Sequence, residues 1–155
     1  MPKQKFTVSV CAVVYKDNGE LLVTERSDKE AQGSGLLSYP GGKIEDIEIK
    51  NIEEVKHSIF EETIKRELME ECGVSVYDDS LALANNHLFK RFDGSYSIMV
   101  VFVARFKSQK KIKFDPEEIK AIHWMKFKDI DKKRMYDSVY KVYGIANKKV
   151  NKIIS

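Results

Sequence analysis

The chain has 155 residues, 43% hydrophobic and 33% charged, with a formal net charge of +3 and a mean hydropathy of -0.40. These proportions belong to a folded globular chain and exclude the collagen-like, disordered and membrane-spanning classes. At this length one domain over residues 1–155 is expected, because a second hydrophobic core would not fit.

The start, MPKQKF, passes straight into the alternation TVSVCAVVY with no charged leader, long apolar segment or small-residue cleavage site. No signal peptide is expected, and the cytoplasm is the expected location. Thr7 to Tyr15 alternates and then turns continuously apolar, as a strand entering the interior does. Asp17-Asn18-Gly19 signals a turn, and the apolar run Leu21, Leu22, Val23 ends at Glu25-Arg26, so the first two strands read as a hairpin. Ser27 to Gly35 is polar and reads as a loop. Leu36 to Tyr39 is a short strand stopped by Pro40-Gly41-Gly42, where the proline fixes φ, the glycines reach conformations closed to other residues, and a chain reversal is expected.

From Ile59 to Cys72 helix formers dominate, and Phe60, Ile64 and Leu68 make one apolar stripe, with Gly73 placed to end the helix. Ser95 to Phe106 is β-rich, and Lys111 to Phe114 and Ile122 to Phe127 are further strand candidates. Past Asp129 the spacing of Met135, Val139, Val142 and Ile145 predicts a final helix, weakened by Gly144. A mixed sheet with helices follows, of class α/β or α+β. Cys11 and Cys72 lie far apart inside structural segments and suit small buried hydrophobes in a reducing compartment.

The near-neutral total conceals a segregation of charge. Residues 45–71 carry ten acids against four bases, and residues 105–155 carry fifteen bases against six acids. The bases are scattered among apolar residues at helical and strand spacing, which describes a solvated face better than a nucleic-acid patch. The acids include Glu67, Glu70 and Glu71, which at ~100° per residue fall on one helix face. Their mutual repulsion and the negative end of the helix dipole both oppose them. Arg66, four residues before Glu70, cannot neutralise three acids. Oxygen ligands in a cluster suit a hard cation such as Mg²⁺ or Mn²⁺, while a solvated acidic face remains open on helix geometry alone. Gly41-Gly42 upstream can bring backbone groups close to a ligand, and Lys43 can meet a phosphate.

Arg66-Glu67-Leu68-Met69-Glu70-Glu71-Cys72-Gly73-Val74, with five residues between Gly42 and Glu48, resembles the signature of the Nudix hydrolase family. The departure is an insertion: seventeen residues separate Glu48 from Arg66 where the family has seven. Ser58 therefore stands where the first signature Glu would fall, and Glu48 is the candidate for that role. Ile49, Ile52, Val55 and Ile59 are spaced to lengthen the helix or to add a short one before it.

The resemblance implies an α/β/α sandwich with a mixed sheet and Mg²⁺-dependent hydrolysis, with Mn²⁺ as a substitute. The substrate class it implies is a nucleoside diphosphate linked to a further group. It assigns metal binding to Glu67, Glu70 and Glu71 and orientation of the carboxylates to Arg66. Glu67 or Glu118 is the base, Glu118 resting on the late segment Glu117 to Trp124. Arg26, Gly41, Gly42 and Lys43 are the candidate substrate contacts, Arg26 and Lys43 reading otherwise as surface charges, and Tyr39, Phe89 and Trp124 either stack on a base or belong to the core. His57, His87 and His123 share no spacing and read as structural or solvated. The implied partner is a small nucleotide, with neither membrane nor nucleic acid, and a homodimer is left open. A nucleotide-binding module without turnover is the alternative, favoured by the displaced first Glu, and an RNA-binding domain built on the basic final third is a third reading.

Overall fold

The computed structural model describes residues 3–29, 33–50, 52 and 55–155. Its centre is an eight-stranded mixed sheet. Strand β1 (Phe6–Tyr15) runs parallel to β7 (Tyr96–Gln109) over its whole length, from Phe6 opposite Tyr96 to Tyr15 opposite Arg105. The far edge of β7 pairs antiparallel with β6 (Ala82–Lys90) and then β5 (Val74–Val76). On the other side β2 (Leu21–Arg26) pairs antiparallel with β8 (Ile119–Met125). No described helix is long and apolar enough to cross a membrane.

The period of two in β1 builds both cores. Val10, Ala12 and Val14 meet Ile64, Leu68 and Cys72 of helix α2 (Ile59–Cys72) on one face. Cys11, Val13 and Tyr15 meet Val142, Tyr143, Ala146 and Val150 of helix α3 (Asp137–Ile154) on the other. Each such fully buried aliphatic side chain contributes about 1.5–3 kcal/mol over leaving it exposed. The result is helices on both faces of a mixed sheet, the α/β/α arrangement the sequence implies.

The turn at Asp17-Asn18-Gly19 forms, with Gly19 at φ +87 and the Lys16 N–H donating to the Glu20 carbonyl. The hairpin is shallower than expected. Strands β1 and β2 pair only at Tyr15 and Leu21 and then splay, and β3 (Leu37–Ser38) and β4 (Gly41–Lys43) fill the gap. β3 is antiparallel to β2 and β4 is antiparallel to β1. Since β1 and β2 are themselves antiparallel, the chain reverses at Tyr39-Pro40.

Other expectations need correction. Lys111 to Phe114 is not a strand: its alternation marks an extended segment that packs Phe114 on the α2-side core without a ladder partner. Strands β5 and β6 are additional, and a register shift between Leu83 and Asn85 breaks the period of β6. The α3 stripe runs through Val142, Tyr143, Ala146 and Val150, while Met135 precedes the helix and Ile145 is 36% exposed. The insertion does not extend α2. A single helical turn, α1 (Asp46–Ile49), precedes it, Ile52 is non-helical, and residues 51, 53 and 54 lie outside the described residues.

Candidate functional site

Helix α2 spans the predicted Ile59–Cys72 and ends where Gly73 adopts the left-handed conformation, φ +68, its N–H donating to the Leu68 and Met69 carbonyls. The last turn of α2 lies beneath β4. Gly42 is pressed so closely on Glu67 that a Cβ there would stand 2.3 Å from Oε1. At Gly41 a Cβ would stand 2.4 Å from both Cys11 Sγ and the Val10 carbonyl oxygen. Neither glycine has a positive φ. Their necessity is close approach within a strand, where the sequence suggests special turn conformations. The Gly41 N–H donates to Glu71 Oε2 at 3.2 Å, so the glycine pair and the acidic turn form one unit.

Arg66 organises the acids around it. Its Nε donates to Glu48 Oε1 at 2.7 Å, Nη2 lies 3.0 Å from Glu67 Oε1, Nη1 donates to Glu70 Oε2 at 2.9 Å, and Nη2 donates to the Lys43 carbonyl at 3.2 Å. Glu48 is 4% exposed and its Oε2 has no hydrogen-bond partner among the described residues. Despite the long insertion, Glu48 therefore reaches Arg66. Lys56 Nζ donates to the Glu48 carbonyl and pairs with Glu62 at 3.1 Å, tying the far end of the insertion back to its start.

The three carboxylates of α2 separate in their surroundings. Glu70 is exposed and turned to Arg66, whereas Glu67 is buried and Glu71 is partly buried. Burial, and then the Glu67 charge, pushes the Glu71 carboxyl up to about 8, against the opposing pull of the Gly41 N–H. Glu118 pushes it further up and Arg26 pulls it down, which places both near the acid site. Burial also raises Glu67, with Arg66 opposing. Burial acts against the Glu48 charge as well, but the Arg66 hydrogen bond and charge hold that carboxyl below its ordinary value. Burial, followed by the charges of Glu71 and Glu67, pushes the Cys11 thiol up, so Cys11 is packing and not a nucleophile.

Arg26 and Glu118 come together through the β2–β8 ladder: Arg26 is opposite Ile119, and the Ser27 N–H donates to the Glu118 carbonyl at 3.0 Å. Lys43 is exposed on β4. Trp124 is elsewhere, edge-on to Phe106 at 5.0 Å and under the Lys16 ammonium, so it does not share the cavity that holds Tyr39 and Phe89. His123 bonds Glu25 at 2.9 Å. His87, read as structural or solvated, lines that cavity with Leu37, Met99 and Tyr136, a convergence of long-range contacts without a local sequence signal.

The donor set suits a hard divalent cation. It offers carboxylate oxygens only, and desolvation disfavours two of the three as anions, an imbalance a cation would relieve. As the side chains stand, no three Asp, Glu, His or Cys among the described residues are grouped to hold an ion, Glu70 being drawn to Arg66.

A family model described as the NUDIX domain matches residues 5–143. A MutT NUDIX hydrolase from Burkholderia pseudomallei is similar at 21% identity and TM-score 0.68, covering 91% of this chain and 98% of that one. A NUDIX hydrolase from Nitrosomonas europaea is similar at 18% identity and TM-score 0.71, covering 94% and 90%. The NUDIX domain of Shewanella oneidensis NrtR, solved with ADP ribose, is similar at 18% identity and TM-score 0.68, covering 97% and 90%. No match was found among curated protein sequences.

Proposed function

The chain belongs to the Nudix family of hydrolases acting on phosphoanhydride bonds, and from that premise we propose that it is a Mg²⁺-dependent pyrophosphohydrolase. Its substrate in this reading is a nucleoside triphosphate or a related nucleotide in which a nucleoside diphosphate carries a further group. The observation that carries the reading is the pair Glu67 and Glu71, both held under the glycine strand with their ionised forms disfavoured by burial. Such a pair is costly as bare charge and useful beside a cation.

When bound, a hard divalent cation supplies positive charge to the diphosphate and lowers the pKa of a water. Glu67, Glu70 and Glu71 are the residues that would hold it. Arg66 keeps Glu67 and Glu70 in place, itself anchored by Glu48 and the Lys43 carbonyl. The Gly41 N–H fixes one oxygen of Glu71. Glu67 or Glu118 accepts the proton of the attacking water. Arg26 and Lys43 meet phosphate charge, and Gly41-Gly42, candidate substrate contacts, serve by letting β4 lie against Glu67 and Cys11. That the NrtR domain is solved with ADP ribose supports a nucleotide as ligand. The alternative of a module without turnover rests on the displaced first Glu, and Glu48 reaching Arg66 speaks against it.

The test is a nucleotide panel with Mg²⁺ or Mn²⁺, reading phosphate and nucleoside monophosphate release for the wild type and Glu70→Gln. Metal-dependent release that falls at least 100-fold in Glu70→Gln is expected, and activity unchanged by it would overturn the metal assignment.

A further inference from the structure

The cavity beside the acid site carries an inference that rests on the reading above and adds the class of base the protein takes. Its volume is about 320 Å³, at the small end of ligand pockets, which run ~300–1,000 Å³, and it suits one nucleoside. Arg26 belongs to both places: it lines the cavity, and its charge acts on Glu71. A Cβ on Gly33 would stand 3.3 Å from Arg26 Nε and 3.4 Å from Tyr136 Oη, so Gly33 itself fits tightly against that corner. A nucleotide with its diphosphate at the acids and Arg26 has this cavity for its nucleoside.

Most of the cavity wall is apolar or aromatic. Tyr39, Phe89 and Tyr136 line it, and stacking of a base on such rings gives affinity without telling bases apart. Discrimination falls to the polar groups. His87 stands on β6 opposite Met99 of β7. Its Nδ1 lies 3.3 Å from Asn85 Nδ2. Taking that amide nitrogen as the donor to Nδ1 assigns the proton of the neutral ring to Nε2. Burial pulls the His87 pKa below its ordinary value, which keeps the ring neutral. Asn85 lines a separate groove with Lys141 and Ile145 and not the cavity, so the imidazole spans from that groove to the cavity. Among the described residues Nε2 has no hydrogen-bond partner.

We propose that His87 reads the base, its Nε2–H donating to a ring carbonyl, so that the site prefers oxo-substituted bases to their amino-substituted counterparts. An amino group in that place would set donor against donor and leave a desolvated N–H unpaired, the kind of mismatch polar pockets reject most strongly. Asn85 acts as the positioning residue that fixes the tautomer.

Two isosteric pairs test this: inosine against adenosine triphosphate, which differ at the purine 6-position, and uridine against cytidine triphosphate. We expect the wild type to favour the oxo member of each pair by about tenfold in kcat/KM. His87→Ala should bring both ratios to within about twofold of unity. Asn85→Leu keeps the imidazole but frees its tautomer and should give intermediate ratios. A structural His87 would instead weaken all four nucleotides alike, and unchanged ratios in His87→Ala overturn the assignment, as does a wild type indifferent within both pairs. Calorimetric binding of the same four nucleotides without divalent metal reads the preference without turnover. Oxo-selective binding with no hydrolysis under Mg²⁺ or Mn²⁺ supports the base assignment and sinks the hydrolase reading. Hydrolysis without selectivity does the reverse, and no binding of any of the four overturns the base assignment.

Discussion

Glu71 couples the site to pH because its carboxyl titrates near 8 in the folded, metal-free chain and near the ordinary 4.5 once unfolded. Between those values the native state holds the extra proton, so stability attributable to Glu71 is full below about 4.5 and is lost as pH rises towards 8. Metal-free melting curves should show the wild type losing ground to Glu71→Gln as pH is raised from about 5 to about 8. A gap that does not widen would contradict the burial argument. At the high end, Mg²⁺ or Mn²⁺ should raise the wild-type melting temperature more than that of Glu71→Gln. Glu48 makes the complementary case, a buried carboxylate that is ionised because Arg66 is there. Removing one partner of a buried pair leaves the other uncompensated. Since Arg66 remains partly exposed, Glu48→Ala should cost about 1–3 kcal/mol. Glu45→Ala should stay within about 0.5 kcal/mol, as Glu45 is 60% exposed and 3.9 Å from Arg66. Equal costs in denaturant melts would refute the assignment of Glu48 to the site.

The elements differ in how plainly the sequence announces them. Helix α2 was legible to its end residues because Phe60, Ile64 and Leu68 repeat one face and Gly73 supplies the left-handed stop. Strand β6 was illegible because the Leu83/Asn85 register shift interrupts its period and Asn85-Asn86 resembles a loop. Half of the site lies on α2 and β4 and could be read from spacing. The other half, the cavity wall, is assembled from β2, β3, β6, β7, the start of α3 and Tyr136 before it, which only tertiary pairing brings together. Strand β4 yields its own prediction, since its two glycines are needed for different reasons. Gly42→Ala meets the Glu67 carboxylate, a side chain that can shift, so activity should fall by more than tenfold while the fold is retained. Gly41→Ala meets the Val10 carbonyl in the backbone of the central strand, and should cost at least about 1–3 kcal/mol of stability. Paired melting and kinetic measurements separate the two, and a destabilised but fully active Gly42→Ala would refute the contact with Glu67.

Across the whole molecule, the acidic and basic segments do not confront each other as blocks. Several bases of the final third are engaged at scattered points: Arg105 with Asp17, Lys120 with Asp28 and Glu25, Arg134 with Glu25, and Lys132 over the ring of Tyr140. Four of the ten acids of residues 45–71 instead gather on one arginine, five contacts within 4 Å being made by Arg66 to Glu45, Glu48, Glu67, Glu70 and the Lys43 carbonyl. That asymmetry is why a net charge of +3 says little and the acidic segment says much. Arg26 links this cluster to the nucleoside-sized cavity, since it lines the cavity and its charge acts on Glu71. The central claim, that the α2 carboxylates support metal-dependent cleavage of a nucleotide phosphoanhydride, is tested most directly by product release from nucleoside triphosphates. The comparison is between the wild type and the double variant Glu67→Gln, Glu70→Gln, each assayed with Mg²⁺ and with a chelator. Release that requires both the metal and the intact carboxylates is the predicted result, and release that persists in the double variant or in the chelator would contradict it.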